Sequence, residues 1–247
     1  MRCAEFHIAK RGGLLAAALT VGLLAFGAPA KASKITVDGA VDGRADGGAD
    51  SWKTIEFPGI VPSRFVKSPD GKIEVLSDKS SAMLYRALGP QESGRRYLTW
   101  RWRVDAAPPP TDLTRRGGDR PLAIHLCFKG KPRKAGFMDW MSRAIQADVD
   151  GFSRDHRCLT YVWGGDAAAG RMFPNPYMKD RGFMVILRGV GAPTGEWFME
   201  KIDCAMDYRD AFGEDAPKPS FIAISGDSDG TNSIAAGSIA ALTFRDN

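Results

Sequence analysis

The 247-residue sequence is poor in the side chains on which catalysis and metal binding most often depend. It contains three histidines and four cysteines, and it has neither an H-E-x-x-H zinc motif nor a glycine-rich phosphate loop that ends in lysine. These absences exclude a typical zinc protease or phosphate-loop hydrolase. They weigh against an enzyme in general without excluding one.

Long hydrophobic runs are also absent beyond the first 32 residues. There, a basic start precedes an apolar run over 14–26, and two A-x-A sites follow this run. The run is too short to cross a hydrocarbon layer of ~30 Å. We therefore expect a signal peptide over 1–32 that is cleaved after Ala32, and a periplasmic or secreted protein with no transmembrane segment in its mature form.

Little excess charge remains once this leader is removed. The whole chain carries a net charge of +5, and the first 32 residues supply four basic residues and one acidic residue. The mature chain is thus only weakly basic, which does not indicate nucleic acid as a partner.

Short β-strand patterns between Gly, Pro and Asp turns make up most of the remaining sequence. In 97–105, Leu98, Trp100, Trp102 and Val104 alternate with polar residues, the period of a strand with one buried face. Similar segments lie at 72–76, 82–88, 122–128, 159–163, 183–190, 197–202, 221–225 and 239–244. Nine strands and few helices predict an all-β protein, a β-sandwich formed by one domain over 33–247.

One segment departs from the strand pattern. Over 135–149, apolar residues that include Phe137, Trp140 and Met141 recur at helical spacing, which predicts one inserted amphipathic helix. The helix could cover an end of the sandwich, or it could dock on a membrane or a partner.

Three cysteines follow the leader, and two of them lie two positions after a histidine: His125 precedes Cys127, and His156 precedes Cys158. In an oxidising compartment we expect Cys127 and Cys158 to form a disulfide that closes a loop around the predicted helix. On neighbouring strands the same four side chains could instead form a tetrahedral zinc site. Cys204 would remain as a buried, inert thiol.

Oxygen ligands cluster in the segment 227–232, which reads DSDGTN. Its glycine falls at position four, so the segment does not match an EF-hand loop. Two alternatives remain. Asp227 and Asp229 could hold a structural calcium ion, which the sequence favours over zinc as a cofactor, or the aspartates could simply cap a turn.

Aromatic and arginine side chains suggest a ligand surface. Tyr161 and Trp163 share one face of a strand, and Trp197 opens another strand. Such rings either fill a core or form a platform for sugar rings. Arg101 and Arg103 share a polar face that could bind hydroxyl or carboxylate groups. These five residues form the candidate saccharide site.

Four short segments also follow one another in a distinctive order. They read LTWRWRV at 98–104, LTYVW at 159–163, DYRDAFG at 207–213 and IAISGDSD at 222–229. Together they resemble a bacterial exported family known only as domain of unknown function 3047. The resemblance implies a jelly-roll-like sandwich similar to galactose-binding and carbohydrate-binding modules, and it implies no established activity.

Three functional hypotheses follow from these observations. The first is an exported protein that binds a saccharide without chemistry. The second is an envelope polysaccharide hydrolase that uses paired carboxylates from Glu200, Asp207 or Asp227. The third is a structural or interaction protein of the envelope that docks through the predicted helix over 135–149.

Overall fold

A computed structural model describes residues 52–130 and 156–247. The expected signal peptide over 1–32 and the expected helix over 135–149 lie outside these residues. Within them the strands are β1 (Lys53–Glu56), β2 (Arg64–Lys67), β3 (Ile73–Asp78), β4 (Ser81–Ala87), β5 (Tyr97–Ala106), β6 (Arg120–Lys129), β7 (His156–Trp163), β8 (Met172–Pro174), β9 (Gly182–Arg188), β10 (Phe198–Asp203), β11 (Pro219–Asp227) and β12 (Ile234–Arg245). The helices in the described ranges are α1 (Pro90–Ser93) and α2 (Cys204–Phe212), and a 3-10 turn spans Lys179–Arg181.

These strands form two sheets. The seven-stranded sheet has the order β1-β4-β11-β6-β7-β9-β8, and the five-stranded sheet has the order β10-β5-β12-β3-β2. Neighbouring strands are antiparallel except β7 and β9, which are parallel. The predicted all-β, jelly-roll-like sandwich is confirmed, and each of the nine predicted strands overlaps an observed one.

The core lies between the sheets and is rich in aromatic rings. Trp100 and Trp102 of β5 have no exposed surface, and they meet Tyr161 and Trp163 of β7 at ring-centroid distances of 5.8 and 5.4 Å. The alternation in β5 and β7 directs these rings inward, where burying each one contributes about 1.5–3 kcal/mol.

Helix α2 follows directly after β10, and Asp203 caps its first turn. The Asp203 carboxylate accepts hydrogen bonds from the backbone N–H groups of Ala205 and Met206, as is typical of an N-cap. Gly213 ends the helix in the left-handed region, at a φ of 71°. Within the described residues, no helix is long and apolar enough to span a bilayer.

Candidate ligand-binding cleft

A cleft with a volume of about 140 Å³ lies on the outer face of the seven-stranded sheet, away from the core. Its floor consists of side chains from β1, β4, β11, β6 and β7 that point outward because strand residues alternate between the two faces. Phe221, Ala223, Ser225 and Asp227 of β11 follow one another along this floor. At a rise of ~3.3 Å per residue, the strand from Phe221 to Asp227 spans roughly 20 Å.

Strand register brings side chains from neighbouring strands into rows across this floor. The first row contains Phe221, Cys127 and Cys158, and the second contains Tyr85, Ala223, His125 and Thr160. The third row contains Ile55, Met83 and Ser225. The fourth row contains Ser81, Asp227 and Arg120. The rows change in character from apolar at one end of the cleft to charged at the other.

Two chain segments form the walls. Ile55, Phe57 and Ile60, in and after β1, stand on one side. Tyr177 and Met178 stand on the other side, between β8 and β9. The Tyr177 hydroxyl accepts a hydrogen bond of 2.7 Å from the backbone N–H of Gly117, which ties this wall to the loop before β6.

The first row contains the disulfide between Cys127 and Cys158, the pair expected from the sequence. Because both sulfurs are in this bond, neither is a thiolate, and the alternative zinc site would lack two of its four ligands. Cys204 is free and buried, and burial raises the pKa of its thiol to about 12, so it stays protonated and unreactive.

The middle of the floor carries a closed polar network around His125. The ring nitrogens of His125 are hydrogen-bonded to the hydroxyls of Thr160 at 3.1 Å and Ser225 at 2.8 Å. Burial, together with the charge of Arg120, lowers the pKa of His125 to about 3. The imidazole is therefore neutral at physiological pH, and it is too weak a base to activate the Ser225 hydroxyl.

The charged end of the cleft combines carboxyl groups with one guanidinium. Arg120 Nη1 donates to Asp227 Oδ2 at 3.0 Å, and Arg120 Nε is buried without a hydrogen-bond partner. Burial raises the pKa of Asp227 to about 8, and the neighbouring carboxyl of Asp229 acts in the same direction, against the opposing effect of Arg120. At neutral pH the Asp227 carboxyl is thus mostly protonated.

Asp119 completes this cluster, and sequence reasoning missed it. Oxygens of Asp119, Asp227 and Asp229 lie within 4.8 Å of one another. The Asp119 carboxylate already accepts hydrogen bonds from the backbone N–H groups of Gly230 and Thr231 at 3.1 and 2.6 Å, and from the Thr231 hydroxyl. Because it comes from a loop more than 100 positions before Asp227, no local pattern could have revealed it.

The predicted calcium site at Asp227 and Asp229 stays a prediction. Three converging carboxyl groups are a donor set that suits calcium. Arg120 beside Asp227 and the three donors already on Asp119 compete with a cation for the same oxygens.

The segment 226–230 reads GDSDG and so has the spacing of a G-x-S-x-G nucleophile elbow, a match that sequence reasoning also missed. Its structure is not that of an elbow. Ser228 has no exposed surface, its hydroxyl accepts from the Ser80 N–H at 3.3 Å, and the chain continues into a turn instead of a helix.

The structure corrects the candidate saccharide site inferred from the sequence. Tyr161 and Trp163 are packed in the core and cannot contact a sugar. Arg101 and Trp197 do lie together, with the guanidinium 5.3 Å from the ring centroid, but on the outer face of the five-stranded sheet, where Arg103 is paired with Asp105. The five residues therefore do not form one surface, because β5 and β7 direct their aromatic rings at each other.

The three carboxylates considered for hydrolysis are also not assembled as a pair. Glu200 accepts hydrogen bonds from Trp102 Nε1 and Arg188 Nε at 2.9 and 2.7 Å, and Asp207 of α2 accepts from the Tyr161 hydroxyl at 2.9 Å. The carboxyl groups beside Asp227 belong instead to Asp119 and Asp229.

The chain belongs to the family described as "Protein of unknown function (DUF3047)", whose model matches residues 50–243. The family resemblance seen in the sequence is thus confirmed. No curated protein matches the chain.

Several solved structures are similar to this chain. The xyloglucanase domain of NopAA, a type three effector from Sinorhizobium fredii in complex with cellobiose, has 10% identity and a TM-score of 0.45, over 84% of this chain and 92% of that one. A thermo-stable cellulase derived from Cel12A of Rhodothermus marinus has 9% identity and a TM-score of 0.41, over 78% and 94% of the two chains. A loop-swap mutant of Necallimastix patriciarum Xyn11A has 9% identity and a TM-score of 0.34, over 78% and 98%.

Proposed function

We propose that this protein binds a saccharide in the cleft on the outer face of the seven-stranded sheet, without chemistry. The observation that carries the proposal is the cleft itself, in which aromatic and apolar side chains adjoin a cluster of carboxyl groups and a guanidinium. A sugar ring presents C–H faces and hydroxyl edges, and it needs both kinds of partner.

Both aromatic rings and hydrogen-bonding groups line the cleft where a sugar could contact them. Phe57 and Tyr177 are half-buried on opposite walls, so each offers part of a ring to the cleft. Asp229 is the most exposed of the three clustered aspartates, and it can accept hydrogen bonds from hydroxyl groups. Arg120 lies at the same end of the cleft, hydrogen-bonded to Asp227.

Two features support binding over catalysis. The neutral His125 is a weak base, as described above. Carboxyl oxygens of Asp227 and Asp229 lie within 4.8 Å of each other, closer than the two carboxyls of a retaining glycosidase, which stand about 5–5.5 Å apart, and those of an inverting enzyme, which stand farther.

One observation favours the hydrolase alternative. A carboxyl group that stays protonated at neutral pH, as Asp227 does, is what a general acid requires. Release of reducing ends from envelope polysaccharides, abolished in Asp227→Asn while binding persists, would establish hydrolysis. If the protein binds polysaccharides but releases reducing ends from none of them, binding remains the function.

The test of the binding proposal is a thermal-shift screen of the purified protein against envelope and plant saccharides. A ligand at about 100 times its Kd stabilises the native state by about 2.7 kcal/mol, so a specific sugar should raise the Tm. We expect the shift to disappear in Asp229→Asn and Phe57→Ala. It should persist in the matched aromatic control Trp197→Ala on the opposite sheet.

The reverse pattern, a shift lost in Trp197→Ala and kept in both cleft variants, would place the sugar on the five-stranded sheet and contradict the proposed site.

A further inference from the structure

We infer that the saccharide bound in the cleft carries an apolar substituent, such as an aryl or alkyl aglycone. In this arrangement the sugar lies at the charged end and the substituent lies on the apolar rows. The inference rests on the proposed function and specifies its ligand class.

The apolar part of the cleft is a cluster of its own. Six side chains pack together with the disulfide between Cys127 and Cys158, and we call them the apolar tract. They are Ile55, Phe57, Met83, Tyr85, Phe221 and Met178. This cluster is separate from the core between the sheets. An outward face of an antiparallel sheet often carries polar residues, whereas here Ile55, Tyr85 and Phe221 are buried among one another and their neighbours.

The tract is open to a ligand. Phe57, Met83 and Met178 are each half-buried, and all of them line the cleft. Two of these are methionines, whose unbranched side chains adapt to the shape of a bound group. Contact with an apolar substituent would remove their remaining apolar surface from water, at ~25 cal/mol per Å².

The charged end adjoins the tract directly. Met83 lies opposite Ser225 in the third row, and Asp227 lies in the fourth row, two residues farther along β11. Side chains two residues apart on a strand lie roughly 7 Å from each other. A ligand of two linked parts, one polar and one apolar, therefore reaches both regions at once.

A bare sugar does not suit the tract itself. The polar side chains in the middle of the floor, His125 and Ser225, are already hydrogen-bonded to each other, with Thr160 on the other ring nitrogen. At the far end, the His156 ring packs edge-on against Phe221 at 5.3 Å. A hydroxyl group buried against the side chains of Phe57, Met83 and Met178 would give up water without gaining a partner from them, at a cost of about 1–3 kcal/mol. An apolar group has no such cost.

The decisive experiment compares matched glycosides by isothermal titration calorimetry of the full protein. Methyl and phenyl glycosides of the same sugar, for each of glucose, galactose and xylose, differ only in the substituent. For at least one sugar we expect the phenyl glycoside to bind at least about 10-fold more tightly than the methyl glycoside, with a more negative heat-capacity change.

Two methionine variants locate the substituent. Met83→Gln keeps the length of the side chain and places a polar amide in the tract, so it should weaken phenyl glycoside binding and bring the phenyl and methyl affinities close together. Met199→Gln makes the same change at a residue that is 65% exposed on β10 of the opposite sheet, and it should have no effect.

Three outcomes would overturn the inference. Equal affinity for methyl and phenyl glycosides contradicts it while leaving saccharide binding intact. A phenyl preference that survives in Met83→Gln places the substituent outside the tract. Binding of phenol alone as tightly as of phenyl glycosides, with no response to methyl glycosides, contradicts both the inference and the proposed function.

Discussion

Asp227 illustrates how single residues acquire their properties from partners that are distant in the sequence. It accepts a hydrogen bond from Arg120, across the strand pair β6 and β11, and it lies beside the carboxyl group of Asp229, two residues later. The sequence identified Asp227 and Asp229 as candidate ligands from local spacing alone. It could not identify Asp119 or Arg120, because the register between β6 and β11 is a tertiary feature.

Asp227 should make the protein less stable as the pH rises. Its pKa is raised from 3.8 to about 8 in the folded state, so the folded chain retains a proton that the unfolded chain releases. The resulting stabilisation is full below pH 3.8, declines above it, and is lost as the pH passes about 8. Asp227→Asn is neutral at every pH, so above that pH we expect it to melt several degrees higher than the wild type.

Tm measurements of the wild type and Asp227→Asn between pH 5 and 9 test this pH dependence. Asp78→Asn, at the exposed end of β3, is the control. Parallel Tm curves for Asp227→Asn and the wild type would show that Asp227 titrates normally.

At the scale of elements, the strands were predictable and the short or weakly patterned segments were not. The alternation in β5 identified a strand because its two faces meet different environments, the core and water. Strands β1, β2 and β8 have three or four residues each, too few for an alternation to be recognised. Helix α2 was missed because, of its nine residues, Cys204 and Tyr208 alone are buried.

The disulfide links β6 to β7 next to the cleft, and it should contribute substantially to stability. In the chain-entropy model, a cross-link between residues 31 positions apart contributes about 3–4 kcal/mol. We expect Cys127→Ala/Cys158→Ala to lower the free energy of unfolding in guanidinium chloride by about that amount, and a reductant to weaken the wild type but not this variant.

Cys204→Ala, which removes the free thiol, is the matched control for reductant sensitivity. A loss below about 1 kcal/mol in the double variant would mean that the disulfide constrains the unfolded chain little.

Asp203 should stabilise α2 in two separable ways. It caps the helix, and its carboxylate is bound by Arg96, whose hydrogen bond is the main cause of the lowered pKa of Asp203. Asp203→Ala removes both interactions and should cost about 1–2 kcal/mol by denaturant unfolding. Asp203→Asn keeps a capping oxygen, so it should lose less. Equal losses in the two variants would assign the whole effect to the ion pair.

At the scale of the whole molecule, the fold class could be predicted and the location of the site could not. Regular alternation in nine segments sufficed for the sandwich. The relative placement of the sheets decided which aromatic residues became core, and it moved the candidate site from Tyr161 and Trp163 to the opposite side of the seven-stranded sheet. No pattern within a single strand contains that information.

Export is a further prediction about the whole molecule. The basic start, apolar run and A-x-A sites predict cleavage after Ala32. The intact mass of the protein recovered from the periplasm or medium of expressing cells should therefore correspond to a chain that begins at Ser33. Recovery of the uncleaved chain in the membrane fraction would indicate that 1–32 is an anchor.

Whether the outer face of the seven-stranded sheet binds saccharides is decided by the saccharide-dependent Tm shift, measured in parallel on the wild type, Asp229→Asn and Trp197→Ala. If it does, the shift is lost in Asp229→Asn and retained in Trp197→Ala. The absence of a shift with every saccharide in the wild type, or its loss in Trp197→Ala alone, would show that this face is not the binding surface.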